Sequence, residues 1–68
     1  MTYGQWHQTF EVKVREYDVG TCRRALYDCH DTLALHKDMA TDDPYYIKVW
    51  AEIDALRERQ LKLSREAA

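Results

Sequence analysis

The last third of the chain carries the pattern that most constrains its fold. A stripe of residues recurs there at alternating three- and four-residue spacings, apolar except for one glutamine and widened by Trp50: Tyr46, Val49, Ile53, Leu56, Gln60 and Leu63. This stripe is typical of a helix that packs along its whole length against another helix. It predicts a helix over about 44–65, with Asp43 as the N-cap and Pro44 at the first helical position.

A second stripe with the same rhythm precedes it: Cys22, Leu26, Cys29, Leu33, His36 and Ala40. This stripe predicts a second amphipathic helix over about 21–40, capped by Thr21 or Asp18. Only a few residues separate the two predicted helices, and such short connections join antiparallel neighbours. The sequence therefore predicts a long antiparallel helical hairpin.

The first 19 residues carry two conflicting signals. Thr2 and Gln5 have the spacing of a capping box, and one helical face collects Tyr3, Trp6, Phe10, Val14 and Tyr17. Residues 10–15 nevertheless alternate between apolar and polar types, as a strand would. The longer aromatic stripe favours a short N-terminal helix over 1–19, because a lone strand would need a partner strand from another subunit. Gly20 either separates this helix from the next or lies within one longer helix.

A chain of 68 residues forms one domain, 1–68, and a core of this size usually needs further support. Cys22 and Cys29 lie seven residues apart, about 10.5 Å along a helix, whereas a disulfide needs Cα atoms within about 7 Å. We therefore expect an all-α homodimer, a helical bundle whose interface comprises Cys22, Leu26, Cys29, Leu33, His36, Tyr46, Val49, Trp50, Ile53, Leu56, Gln60 and Leu63.

The sequence contains no recognisable catalytic or metal-binding pattern. Two helical metal ligands meet at one ion when three or four residues apart, whereas Cys29 and His36 are separated by two full turns. Cys29 and His30 are adjacent, so on a helix their side chains diverge by about 100° and cannot form a catalytic pair. We expect no enzyme activity, no metal and no cofactor.

Cysteine usage and the lack of a long apolar segment suggest where the protein acts. The sequence shows no signal-peptide pattern, and the expected unpaired cysteines fit a reducing compartment. We therefore expect a cytoplasmic protein without a membrane partner.

Charge is distributed unevenly along the chain. Residues 28–54 carry two basic and seven acidic side chains, a net charge of −5, whereas residues 55–68 carry four and two, a net charge of +2. In a folded hairpin this gives one acidic end and one basic end. Arg23 and Arg24 lie near the start of the second predicted helix and Asp38 near its end, where the helix dipole disfavours each of them. We expect a second copy or another partner to compensate these charges.

These features predict an interaction protein that binds and modulates, or inhibits, a larger protein. In shape alone the predicted hairpin dimer is similar to small regulators of plasmids and phages, so a phage or mobile-element regulator of a host factor fits this size. Aromatic and charged residues outside the stripes are the predicted partner-binding set: Tyr27, Asp38, Asp42, Asp43, Tyr45, Arg23, Arg24, Arg59 and Lys62.

The alternative is a dimeric regulator that binds nucleic acid through the basic end. The residues available for phosphate contacts are Arg23, Arg24, Arg57, Arg59, Lys62 and Arg65. The net charge of −2 and the absence of a helix-turn-helix pattern disfavour this alternative.

Overall fold

A computed structural model describes residues 1–67 of the chain. Within this range the protein consists of three helices: α1 (Tyr3–Val14), α2 (Val19–Leu35) and α3 (Pro44–Ala67). The described residues contain no strand, so the all-α prediction is confirmed. Residues 10–14 continue α1, and the strand alternative for this segment is wrong. The helix ends at Val14 instead of residue 19, because a turn closed by the Tyr17 N–H and the Val14 carbonyl separates it from α2, whose N-cap is Asp18. No described helix has both the length and the apolar character needed to cross a membrane.

Each helix begins where a side chain satisfies its free backbone N–H groups. The Thr2 hydroxyl accepts from the Gln5 backbone, and the Gln5 side chain accepts from the Thr2 backbone, which completes the predicted capping box. Asp18, rather than Thr21, caps α2 by accepting a hydrogen bond from the Thr21 N–H at 2.7 Å. Asp43 accepts from the Tyr45 N–H at 2.8 Å at the start of α3, as predicted.

The end of α2 differs from the prediction. The helix stops at Leu35, rather than at about residue 40, with His36 as its C-cap in a non-helical conformation. Two successive turns then lead to α3, closed by hydrogen bonds from the Met39 N–H to the His36 carbonyl and from the Asp43 N–H to the Ala40 carbonyl. The apolar rhythm continues through these residues, but the backbone bonds go to turns instead of a further helical turn.

The longest helix, α3, is the centre of the fold. Both α1 and α2 pack against it, and within the described residues they make little contact with each other. Side-chain bonds from Tyr3 to Asp54 and from His7 to Glu58 show that α1 runs in the same direction as α3.

The contacts of α2 along α3 run in the opposite direction. Cys29, near the end of α2, lies beside Val49, near the start of α3. Tyr17, just before α2, accepts a hydrogen bond through its carbonyl from Arg59, in the second half of α3. Helix α3 therefore lies between a parallel neighbour and an antiparallel one.

The core is a single cluster contributed by all three helices. Its buried members are Phe10, Val14, Cys22, Cys29, Val49, Ala51, Ile53, Ala55 and Leu56. Trp6, Tyr17 and Trp50 are partly buried and pack around it. Small side chains at Ala51 and Ala55, one helical turn apart, leave room for the close approach of α1, whose Val14 lies beside Ala55.

Candidate interaction site

The side chains at the connection between α2 and α3 form an open groove at one end of the molecule. We call this groove the tip; its lining residues are Leu35, His36, Lys37, Asp38, Met39, Asp43 and Tyr45. The connection is where the sequence predicts an acidic, aromatic contact surface, and three of the predicted partner-binding residues, Asp38, Asp43 and Tyr45, line it.

Both helices hold the walls of the tip in place. On the α2 side, the His36 backbone N–H bonds to the Thr32 carbonyl at 3.1 Å, which fixes the residue at the helix end. On the α3 side, Asp43 caps the helix and thereby orients Tyr45 in the first turn. The His36 ring meets the Tyr45 ring edge-on, with centroids 6.1 Å apart and an interplanar angle of 82°.

Leu35 is the apolar residue of the tip that the chain itself leaves uncovered. It is 82% exposed, and Tyr45 across the groove is 47% exposed. A leucine gains about 1.5–3 kcal/mol when it is fully buried, and Leu35 realises little of this gain within the chain. Contact surfaces are marked by contiguous exposed apolar patches with polar rims, and Leu35 and Tyr45 line one groove together.

The charge around the tip is strongly acidic. Residues 28–43 carry five acidic side chains, Asp28, Asp31, Asp38, Asp42 and Asp43, against the single basic Lys37, for a net charge of −4. The close contact between a basic and an acidic side chain found among the described residues, His7 with Glu58 at 2.9 Å, lies away from the tip. The field of these carboxylates therefore attracts cationic groups to the groove.

The remaining predicted partner-binding residues have different surroundings. Asp42 is exposed next to the tip, and Tyr27 is exposed on α2 without lining the groove. Leu35 was not predicted. Its only signal in the sequence is its position two residues after Leu33, which places it off the apolar stripe of α2.

The residues of the predicted basic end differ in their exposure and in their neighbours more than the sequence suggests. Arg23 and Arg24 are exposed on α2. Arg59 is partly buried, and its Nε donates to the Tyr17 carbonyl at 3.1 Å, so it holds the connection between α1 and α2. Lys62 lines a groove with Arg59 and Arg15, but Glu11 and Glu58 line the same groove.

Several predicted dimer-interface residues are covered within the single chain. Cys22, Cys29, Val49, Ile53 and Leu56 are buried in its own core. The residues of this set that keep some exposure are Leu26, Leu33, His36, Tyr46, Trp50, Gln60 and Leu63. Self-association through this face stays a prediction, and these partly exposed side chains are the ones available for it.

The two free cysteines are poorly suited to nucleophilic chemistry. Burial raises the pKa of Cys29 to about 11, with further contributions from the negative charges of Glu52 and Asp28. Burial also raises the pKa of Cys22. Both thiols are therefore protonated at neutral pH, whereas the thiolate is the reactive form. Among the described residues no cluster of three or more His, Cys, Asp or Glu side chains is arranged to hold a metal ion.

Comparison with known proteins found no relative of this chain. No family model, no curated protein and no solved structure matches the chain.

Proposed function

We propose that this chain is a small non-enzymatic interaction protein that binds a larger protein through the tip and thereby modulates or inhibits it. The observation that carries the proposal is the exposure of Leu35. Its side chain is 82% exposed at the rim of the acidic groove, and Tyr45 forms the other wall of that groove. An apolar side chain so placed becomes buried when a partner docks. The protonated state of Cys22 and Cys29 supports a role without nucleophilic catalysis.

The tip contains the two kinds of side chain that protein interfaces combine, which are apolar or aromatic anchors and surrounding charges. A few apolar and aromatic anchors usually supply most of the binding free energy, and Leu35 and Tyr45 fill this role. Surrounding charges mainly set specificity and the association rate, and Asp38 and Asp42 fill that role. The expected partner surface therefore combines an apolar pocket with basic side chains.

The setting of this activity follows from the same features. The protein acts as a homodimer of helical hairpins in the reducing cytoplasm, in keeping with its free cysteines. Its size and lack of catalytic groups fit a phage or mobile-element regulator that occupies a host factor.

Affinity capture with matched variants tests the proposal. The wild-type protein, Leu35→Ser and Val12→Ser are each immobilised and exposed to the same cell lysate. Val12 is 55% exposed on α1, so its variant makes the same chemical change away from the tip. We expect a protein that the wild type and Val12→Ser retain and that Leu35→Ser loses. Equal retention by all three would contradict a role for the tip.

The alternative function, nucleic-acid binding, is favoured only by the meeting of Arg15, Arg59 and Lys62 in one groove. Glu11 and Glu58 in that groove reduce its positive potential. A salt titration of binding to duplex DNA and to structured RNA separates the two functions. Phosphate contacts require affinity to fall steeply with salt, and we expect no such binding.

A further inference from the structure

One side of α3 lies between the faces that pack on α1 and α2 and is only partly covered by the chain, with Trp50 on it also packing against the core. Four residues along this side form what we call the α3 strip: Tyr46, Trp50, Arg57 and Leu61. Their spacings of four, seven and four residues place them on one helical face. Leu61 is 54% exposed, Arg57 is exposed, and Tyr46 and Trp50 are partly exposed.

The α3 strip is apolar and aromatic apart from one arginine. Tyr46 and Trp50 lie against each other, with ring centroids 6.3 Å apart. The indole nitrogen of Trp50 has no hydrogen-bond acceptor among the described residues. This nitrogen is buried within the chain, so a second molecule along the strip would contact the exposed part of the Trp50 ring and not its N–H.

We propose that a second copy of this chain covers the α3 strip, with the two α3 helices antiparallel. This inference rests on the homodimer included in the proposed function and identifies its surface and orientation. The strip is self-complementary in that arrangement. Trp50 faces the copy's Arg57, and Tyr46 faces the copy's Leu61, because the two pairs share the same midpoint along the helix.

The orientation follows from the chemistry of these pairs. An arginine over a tryptophan ring is a favourable cation–π contact, and tyrosine on leucine buries apolar surface. A parallel arrangement would instead place Arg57 beside the copy's Arg57, with like charges in contact. The antiparallel contact is isologous, with each Trp50 facing the other copy's Arg57, and is therefore compatible with a two-fold symmetric dimer.

Charge along α3 favours the same orientation. Asp42 and Asp43 lie at its start, and Lys62 and Arg65 lie in its last turns. Antiparallel pairing brings the acidic start of each helix towards the basic end of the other, and it also opposes the helix dipoles. Tyr45 lies about 100° around the helix from Tyr46, so the tip stays free for a different partner.

Sedimentation equilibrium tests whether the α3 strip is the surface for self-association. We expect the wild type and Leu35→Glu to be dimers, and Leu61→Glu to have the monomer mass of 8.1 kDa. Leu35→Glu is the matched control, because it makes the same change at a more exposed leucine off the strip. Arg57→Glu should also dissociate the dimer, whereas Arg23→Glu should not. Circular dichroism checks that each variant stays helical.

A monomeric wild type would overturn the inference, as would equal dissociation by Leu35→Glu and Leu61→Glu. The sedimentation result and the affinity-capture result test the two proposals separately. A wild-type dimer that retains no other protein contradicts the tip proposal alone, whereas a monomer that retains one contradicts the α3 strip alone.

Cross-linking tests the orientation. Tyr46→Cys and Leu61→Cys variants are mixed and oxidised mildly; the native Cys22 and Cys29 are buried and do not compete. Antiparallel strips predict that the mixed disulfide forms faster than either homodisulfide. Faster formation of the two homodisulfides would indicate parallel strips and overturn the proposed orientation.

Discussion

Tyr3 connects the beginning of the chain to its central helix. Its hydroxyl donates a hydrogen bond to the Asp54 carboxylate, 51 residues away in sequence. This bond, followed by burial and by the charges of Asp54 and Glu58, raises the pKa of Tyr3 from 10.0 to about 12. The folded state therefore favours the protonated phenol. The stabilisation of the fold by the protonated Tyr3 phenol is fully present below pH 10 and is lost as the pH rises through 12.

Replacement of Tyr3 by phenylalanine tests this link. We expect the free energy of unfolding at neutral pH to fall by about 0.5 kcal/mol, the lower end for a hydrogen bond, because Tyr3 is 43% exposed. Tyr3→Phe should also lose less stability than the wild type between pH 10 and pH 12. Urea denaturation measures both effects, with Tyr27→Phe, at an exposed ring on α2, as the control. If the free energy of unfolding of Tyr3→Phe fell between pH 10 and pH 12 as much as that of the wild type, the bond would not contribute to stability.

At the scale of the element, the helices differ in how their two ends are determined. Thr2, Asp18 and Asp43 each satisfy backbone N–H groups through a side chain nearby in sequence. The end of α2 has no such local mark, because neither a glycine nor a proline directly follows Leu35. Helix starts in this protein are therefore encoded locally, whereas the end of α2 depends on how the connection to α3 folds.

Two neighbouring aspartates provide a matched test of capping. Asp43→Ala removes the acceptor for the Tyr45 N–H, and we expect it to lower the free energy of unfolding by about 1 kcal/mol. Asp42→Ala makes the same change one residue earlier at an exposed position, where we expect an effect within about 0.5 kcal/mol. Urea denaturation of both variants measures the difference. Equal effects would mean that the acidic charge, not the cap, is what stabilises the start of α3.

At the scale of the whole molecule, stability depends on two separate contacts with α3. Helix α1 packs over the side that carries Ala51 and Ala55, which are both buried, and α2 packs over the side of Val49. Since α1 and α2 make little contact with each other, we expect each to loosen from α3 without the other, although all three helices contribute to one core. Such partial opening is how local unfolding arises in small domains.

Enlarging Ala51 tests this independence. Leucine at this buried position overpacks the contact with α1, and we expect a loss of about 1–3 kcal/mol. Ala34→Leu, on an exposed position of α2, is the control and should change stability little. In Ala51→Leu, hydrogen exchange should accelerate, relative to the wild type, more in the amides of α1 than in those of α2. Uniform acceleration across both helices would instead indicate that the three helices unfold as one unit.

The sequence by itself determined the two later helices, the start of α3 at Asp43 and Pro44 and the acidic character of the tip, whereas it left α1 open between helix and strand and the α2 cap open between Thr21 and Asp18. These follow from apolar periodicity, from capping side chains and from charge, which act between residues close together in the chain. Asp38, Asp43 and Tyr45 could be assigned to the tip for this reason, since they lie at or beside the facing ends of the two predicted helices, 21–40 and 44–65.

Only the tertiary structure decided what each apolar stripe packs against. A stripe shows that a helix face is buried but does not identify the neighbour, so Ile53 and Leu56 could be assigned equally to a second copy or to the chain's own core, where they lie. Packing also decided the direction of α1 along α3. The exposure of Leu35 depends on where α2 ends, and it therefore becomes visible only once the two turns that follow the helix have folded.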